Sequence, residues 1–335
     1  MRLIFNKFIL PILIITVCGN LHKCQNYKSG GNVQVQQMEY KGWEKAFKID
    51  NGIIEAIVVP SIGRIMSFGY VAGKNLLWNN DSLLGKKLYY KDKNSAGSDW
   101  INYGGDKVWP LSEKYFPAVL DRSWPPDEYF DNSPFDFELL ENGIILQSPV
   151  SQNTGTALRR KITMADSSSR LDIKQKLTQV KMNPSFPATI WSITQVIPPE
   201  IVIMDKNPDS KFNNSVIYMG EEGKPAVRNT EGHIWADAQV QGKYKFGTDS
   251  RQYLAAQFGK NLLIQNFEYY QDQKYPDGGC SVEVYFSPEY IEMELLSPER
   301  KMEQEESISF DISWELKELD NGEMDNIIET LKNID

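Results

Sequence analysis

Histidine and cysteine are scarce in this chain, which has 2 histidines and 3 cysteines among 335 residues. His233 is the only histidine in the part whose pattern predicts a folded domain. Cys18, Cys24 and Cys280 have neither the spacing of metal ligands nor that of a disulfide framework. A histidine-rich metal site is therefore excluded, and we expect no metal and no cofactor.

An excess of positive charge is also lacking. The chain has 36 Lys and Arg against 45 Asp and Glu, a formal net charge of −9. Nucleic-acid binding needs clustered Lys and Arg to neutralise phosphates, and a basic membrane-binding surface needs the same residues. We therefore expect no nucleic-acid partner, and contact with a membrane only through a lipid anchor.

Long apolar runs are absent except at the N-terminus. There, Phe8–Val17 follows a short basic segment, is too short to span a membrane, and is typical of a secretory signal. Cleavage after Gly19 fits the small residues around it, whereas Cys18 at the end of the run allows a lipoprotein anchored at that residue. We predict a signal peptide over 1–19, a flexible tether over 20–42, and an exported protein, either periplasmic or an outer-membrane lipoprotein.

Helical periodicity is almost absent after residue 42. Short β-branched and aromatic segments are separated by turns, and in Arg170–Val180 Leu and Ile alternate with Asp and Lys. Such alternation predicts a half-buried antiparallel strand, and many such segments predict an all-β sandwich or barrel. We place one domain with long loops at 43–317 and a C-terminal tail at 318–335, in which Met324–Ile334 is the one predicted helix.

Tryptophan is dense in the segment 99–127, which does not have the pattern of a strand. Long ordered loops usually carry function, and the rings of Trp109 and Trp124 offer flat apolar surfaces to a sugar. The polar residues of this loop that could hydrogen-bond sugar hydroxyls are Asn102, Asp106, Lys107 and Asp127. The alternative is a loop that closes one end of the sandwich and packs its tryptophans into the core.

A pair of glutamates near the C-terminus is a second candidate. Glu292 and Glu294 are two residues apart in a predicted strand, so they face the same side of a sheet. Neighbouring carboxylates raise each other's pKa, as a general base near neutral pH requires. The alternative is a solvated strand face. Arg64 and His233 are further candidates for contacting a sugar, although a lone histidine is more often structural.

Three segments carry a resemblance to a known family: Asn102–Pro110, Trp124–Asp127 and Glu294–Pro298. They resemble a bacterial family of unknown function that is grouped with the galactose-mutarotase-like (aldose 1-epimerase-like) superfamily. The resemblance covers residues 43–317 and implies a galactose-mutarotase-like β-supersandwich with a carbohydrate site.

The resemblance also implies a chemistry. Aldose 1-epimerases open and close a sugar's hemiacetal ring with a histidine acid and a glutamate base, and the resemblance places the base at Glu294. The segment in the position of the histidine, Ala188–Val196, contains none, which leaves Asp106, Lys107 or His233 as the acid. Three hypotheses follow: an aldose 1-epimerase-like enzyme, a non-catalytic carbohydrate-binding module, and a structural domain of the cell envelope.

Overall fold

The computed structural model describes residues 27–28, 32–88, 100–182, 186–220, 226–230 and 232–333. The predicted signal peptide and Cys18 lie outside these residues. The α-helices of the described part are Phe116–Leu120 (α1), Glu128–Asp131 (α2) and Met324–Lys332 (α3). Single 3-10 turns occupy Pro60–Ile62, Asp81–Leu83, Glu113–Tyr115 and Asn213–Ser215.

Strands make up most of the described chain. In order, they are Tyr27–Lys28 (β1), Gln34–Tyr40 (β2), Trp43–Asp50 (β3), Ile54–Val59 (β4), Arg64–Tyr70 (β5), Asp106–Trp109 (β6), Asp136–Leu140 (β7), Gly143–Gln147 (β8), Thr156–Met164 (β9), Arg170–Gln179 (β10), Trp191–Val196 (β11), Ile201–Asp205 (β12), Ile217–Met219 (β13), Val227–Thr230 (β14), His233–Asp237 (β15), Tyr244–Thr248 (β16), Tyr253–Phe258 (β17), Asn261–Phe267 (β18), Val282–Phe286 (β19), Ile291–Leu296 (β20) and Ser307–Glu318 (β21).

These strands form two antiparallel sheets that pack face to face. The first sheet has 11 strands in the order β1-β2-β3-β4-β5-β6-β11-β20-β19-β16-β13. The second has 10 strands in the order β14-β15-β12-β17-β18-β21-β10-β9-β8-β7. The main apolar core lies between them, where the ring of Phe68 in β5 meets Trp314 of β21 at 5.2 Å between centroids. The predicted all-β sandwich is confirmed.

The local sequence explains the strands. In β10, Leu171 and Ile173 are fully buried, whereas Lys174 and Lys176 are exposed, as the alternation predicts. Glu141 and Asn142 form the two-residue turn of the hairpin between β7 and β8. Gly143 is required there because a Cβ atom would lie 2.0 Å from the carbonyl oxygen of Ile162.

The prediction of a flexible tether over 20–42 is wrong for residues 34–40. These residues form β2, which pairs with β3. Val33 and Val35 are 1% and 2% exposed and belong to the main core. Their alternation with polar residues makes this segment an edge-side strand of the first sheet rather than a linker.

The C-terminal helix α3 is present, as predicted, and covers the outer face of the second sheet. Ile327 and Leu331 are buried against a separate apolar cluster that includes Ile203, Tyr253 and Ile264. In the described part of the chain, no helix has the length and apolar character needed to cross a membrane.

Candidate functional site

The centre of the first sheet is formed by β6, β11 and β20, and their register decides which side chains meet. Lys107 lies opposite Ile193, and Ile193 lies opposite Glu294. Directly opposite residues of antiparallel strands share a face. Three strands that are far apart in the sequence therefore place Lys107 and Glu294 on the same face.

That face points away from the second sheet. Met293 of β20 lies opposite Thr194, which accepts a hydrogen bond from Gln265 of the second sheet, so the alternating Glu292 and Glu294 project outward. The same outward face carries Lys107 and Trp109 of β6. The prediction that Glu292 and Glu294 share one face agrees with this geometry.

A cavity of about 710 Å³ opens on this outer face. Its lining combines aromatic rings with carboxylates and lysines, which is the composition of a small-molecule site with a few convergent polar groups. The lining residues are Trp100, Trp109, Glu113, Trp124, Trp191, Met219, Gly220, Lys243, Tyr244, Lys245, Asp277, Glu283, Tyr285, Tyr290 and Glu292.

Three tryptophans from the long loop and β6 form an aromatic wall, defined here as Trp100, Trp109 and Trp124. Their rings meet edge to face, with centroids of Trp100 and Trp124 5.0 Å apart and those of Trp109 and Trp124 5.8 Å apart. Trp109 is 2% exposed, whereas Trp100 and Trp124 are half-buried. The last two rings are therefore the accessible surfaces for a ligand.

Asp131, at the end of α2, holds the aromatic wall in place. Its carboxylate accepts hydrogen bonds from Nε1 of Trp100 at 2.7 Å and Nε1 of Trp109 at 3.1 Å. Arg64 donates to the same carboxylate at 3.0 Å, and both charged side chains are fully buried. Asp131 was not among the predicted site residues. Because rigid partners fix the orientation of groups that meet a ligand, Asp131 is a positioning residue.

Arg64, predicted as a contact for the sugar, lies behind that wall. Its guanidinium donates to the carbonyl oxygens of Gly104 and Asp131, both at 2.8 Å, and it does not line the cavity. The predicted sugar contact of Arg64 is therefore wrong, because its fully buried guanidinium is held by protein groups.

Lys107 and Glu292 form the first charged pair of the site. Nζ of Lys107 is 3.6 Å from Oε1 of Glu292, which also accepts a hydrogen bond from Gln195 at 2.7 Å. The ammonium group lies 4.2 Å from the ring centroid of Trp100. Burial lowers the pKa of Lys107 to about 8, although Glu292 and Asp131 oppose this shift. Nζ has no hydrogen-bond partner among the described residues.

Lys245 links two further carboxylates. Its Nζ is 2.8 Å from Glu283 and 2.9 Å from Glu294, and Nε1 of Trp191 donates to Glu294 at 2.8 Å. Burial alone would lower the pKa of Lys245, but the carboxylates of Glu283, Glu294 and Glu113 outweigh it and hold that pKa well above its usual value.

The two glutamates bound to Lys245 have raised pKa values. Burial raises the pKa of Glu283 to about 7, against the opposing effect of Lys245. Burial also raises the pKa of Glu294 well above its usual value, again opposed by Lys245. Glu283 and Glu294 are cross-strand neighbours, so their charges repel. The two carboxyl groups therefore titrate together, and both favour the protonated form more than an isolated carboxyl group does.

The predicted glutamates differ in access. Glu292 lines the cavity, whereas Glu294 is 1% exposed and lies beneath the surface formed by Trp191 and Lys245. Of the pair, Glu292 is the one placed to meet a ligand, and Glu294 supports Lys245 and Trp191.

Asp106 does not belong to the cavity, and its predicted catalytic role is wrong. It lies opposite Thr194 on the inner face of the sheet. Its carboxylate forms an ion pair with Arg160 of the second sheet and accepts a hydrogen bond from Thr194 at 3.0 Å. Because successive residues of a strand face opposite sides, Asp106 and Lys107 cannot both reach the site.

Asp127 and Asn102 have structural roles. Asp127 is fully buried and accepts hydrogen bonds from the amide of Tyr129, at the start of α2, and from Ser151. This is an N-cap of a short helix rather than a sugar contact. Asn102 is 7% exposed, accepts a hydrogen bond from the amide of Gly104 at 3.3 Å, and does not line the cavity.

His233 lies on the wrong sheet for the predicted role. It belongs to β15, in the second sheet, and lines a larger hollow of about 1160 Å³ on that sheet's outer face. That hollow contains no tryptophan, and its lining mixes lysine, arginine and carboxylate side chains. We therefore place the candidate site in the smaller, aromatic cavity, which the predicted residues Trp109, Trp124 and Glu292 line. Lys107 lies behind it, in contact with Glu292.

Several site residues were missed from the sequence. Trp100, Trp191, Lys245, Glu283 and Tyr285 all line the cavity. In β19, Glu283 and Tyr285 alternate with buried Val282 and Val284, which is a usable signal for one polar face. Pairing of β19 with β20 follows from the short connection between them, whereas nothing local indicates that this face also meets β16.

Metal ligands are not grouped in this site. Within the described residues, no set of three or more His, Cys, Asp or Glu side chains is arranged to hold a metal ion. The carboxylates are instead paired with lysines, so proton transfer and hydrogen bonding are the chemistry that the arrangement supports.

Solved structures share this fold. A candidate aldose 1-epimerase from Escherichia coli K12 aligns with a TM-score of 0.51 and 10% identity, covering 82% of this chain and 99% of that one. A candidate mutarotase, YeaD, from Salmonella typhimurium aligns with a TM-score of 0.52 and 10% identity, covering 88% and 97%. A galactose mutarotase related enzyme from Lactobacillus acidophilus gives 0.51 and 8%, covering 84% and 100%. At these identities the likeness shows the fold alone, which is the galactose-mutarotase-like β-sandwich predicted.

Sequence comparison gives the family. A search of curated proteins finds no significant match. Residues 45–317 match the family described as Domain of unknown function (DUF4380), and the chain belongs to that family.

Proposed function

We propose that this protein binds a sugar in the aromatic cavity and catalyses opening and closing of its hemiacetal ring, as an aldose 1-epimerase does. One observation carries the proposal: the aromatic wall meets Glu292, Glu283 and Lys245 in a single cavity of about 710 Å³. This volume is typical of small-molecule sites.

The aromatic wall supplies the apolar surface. A pyranose has an apolar C–H face, and the half-buried rings of Trp100 and Trp124 offer flat surfaces of matching character. The carboxylates and Lys245 at the same cavity offer acceptors and donors to the hydroxyl groups. Together they would orient a sugar with one face on the rings and its hydroxyls toward the charged groups.

Proton transfer would use two carboxyl groups. Oε1 of Glu292 is held by Gln195 and Lys107, which orients this carboxylate as a base for the proton of the anomeric hydroxyl. Glu283, with its pKa raised to about 7, would donate a proton to the ring oxygen. The bond from the anomeric carbon to the ring oxygen then breaks, and closure on the other face of the aldehyde yields the other anomer.

Polarimetry of freshly dissolved α-glucose and α-galactose tests this proposal. We expect the wild-type chain to accelerate mutarotation, and Glu292→Gln to lose a factor of about 10²–10⁴ in rate, the usual contribution of a general base. Glu315→Gln changes the same residue type on the outer face of the second sheet and should keep the wild-type rate. If no sugar is turned over or bound, the proposal fails.

A second function, non-catalytic sugar binding, is favoured by the composition of β11. Its residues on the cavity side of the sheet are Trp191, Ile193 and Gln195, and none is a histidine. Under this alternative, calorimetry detects binding, Glu292→Gln still binds, and polarimetry shows no acceleration. Trp124→Ala should weaken binding in either case.

Export is a further part of this proposal, supported by the N-terminal sequence pattern. Cell fractionation of the full-length chain tests it, with recovery in the periplasm or outer membrane as the expected result. Cys18→Ala separates the two alternatives, because only a lipoprotein would lose its membrane association. Recovery in the cytoplasm would contradict export.

A further inference from the structure

The cavity carries more carboxylates than lysines. Glu113, Asp277, Glu283 and Glu292 line it, against Lys243 and Lys245. These acids are close enough to act on one another: Asp277 and Glu113 both contribute to raising the pKa of Glu283, behind the larger effect of burial. A cation placed among them would relieve this repulsion.

The two lysines at the base of the site, Lys107 and Lys245, face its glutamates. Lys245 is bound by Glu283 and Glu294 and lies 4.8 Å from the ring centroid of Trp191. Lys107 is 1% exposed and faces Glu292. The ammonium group of Lys245 is therefore shared by two carboxylates, and Lys107 does not line the cavity.

Acceptor oxygens, in contrast, remain without donors. Among the described residues, Oε1 of Glu283 and Oε1 of Glu294 accept no hydrogen bond, and both side chains are 1% exposed. Glu283 lines the cavity directly. A buried carboxylate oxygen without a donor costs free energy, so a ligand that brings a donor to this position gains affinity.

We propose that the cavity selects sugars that carry a free amino group and rejects sugars that carry a carboxylate, sulfate or phosphate. The ammonium group supplies three donors to the carboxylates, and the aromatic faces beside them also attract a cation. An anionic substituent would meet an excess of acidic side chains in this lining, four against Lys243 and Lys245. This inference rests on the proposed sugar site and names its substrate class.

Calorimetry with three matched sugars tests it: glucosamine, glucose and glucuronate, with the corresponding galactose series alongside. We expect the amino sugar to bind about tenfold more tightly than the neutral sugar, as one hydrogen bond to a charged group provides. The uronate should bind more weakly than either. Binding of the ammonium group should also displace the proton of Glu283, whose pKa is raised to about 7. The released proton makes the measured heat of binding depend on the buffer.

Variants assign the preference to the cavity. Glu113→Gln removes a lining carboxylate and should reduce the ratio of amino-sugar to neutral-sugar affinity, whereas Glu315→Gln on the second sheet should leave that ratio unchanged. Equal binding of glucose and glucosamine, or tighter binding of glucuronate, would overturn the inference while leaving the sugar site intact. If none of the sugars binds, both the inference and the proposed function fail.

Discussion

Asp106 and Lys107 are adjacent in the chain but project from opposite faces of the first sheet. The sequence identified both as unusual polar residues, yet interpreted their segment as a loop. Had Asp106–Trp109 been recognised as a strand, alternation would have separated the two residues. What sequence reasoning could not supply is which face meets the solvent, since this depends on Arg160 of the second sheet.

The substitution Asp106→Asn tests the placement of Asp106 on the inner face of the first sheet. Asp106→Asn leaves the buried guanidinium of Arg160 without its charged partner, which should lower the free energy of unfolding by about 3–5 kcal/mol. Sugar affinity of the folded variant should stay within about twofold of wild type, because the carboxylate faces the core. Urea denaturation and calorimetry measure the two effects, with exposed Asp136→Asn on β7 as control. If the variant had normal stability but no longer bound sugar, Asp106 would belong to the ligand site instead.

Lys107 gives a prediction about pH. Its pKa is about 8 in the folded chain against 10.5 for the free group. Between these values the unfolded state binds more protons, so this residue makes stability rise with pH. Between pH 8 and pH 10 the free energy of unfolding of wild type should therefore rise by roughly 2 kcal/mol relative to that of Lys107→Met.

Urea denaturation of both chains across this pH range measures the difference between their free energies of unfolding. Lys301→Met, which removes an exposed lysine, controls for the loss of one positive charge. A gap that stays constant would show that the amine of Lys107 is not buried in the way described.

At the scale of elements, the site depends on pairings between distant strands. The sequence correctly placed Glu292 and Glu294 on one face, and correctly predicted the helix α3. It could not show that β20 pairs with β11, which brings Trp191 to Glu294. That contact joins residues 103 positions apart, and no local pattern encodes it.

The helix α3 allows a test of whether the outer faces of the two sheets are independent of each other. Ile327→Ala removes a fully buried side chain from the apolar cluster on the second sheet, and should cost about 2–5 kcal/mol of unfolding free energy. Sugar affinity should not change, because the cavity lies on the other sheet. Exposed Glu329→Ala on the same helix is the matched control. A loss of affinity in the folded Ile327 variant would show that the two outer faces are coupled.

At the scale of the whole molecule, two hollows lie on opposite outer faces of the sandwich. The larger is polar and lies beside His233 on the second sheet, and the smaller joins the aromatic wall to the glutamates and Lys245. Size alone would favour the first hollow. The second brings tryptophan rings together with glutamates and Lys245, whereas no tryptophan lines the first, and the assignment of function rests on that difference.

A crystal structure of the full domain soaked with the tightest-binding hexose of the calorimetric panel tests this assignment most directly. We predict electron density for a pyranose stacked on Trp124 and within hydrogen-bonding distance of Glu292. A sugar bound only in the hollow beside His233, with the aromatic cavity empty, would contradict the account.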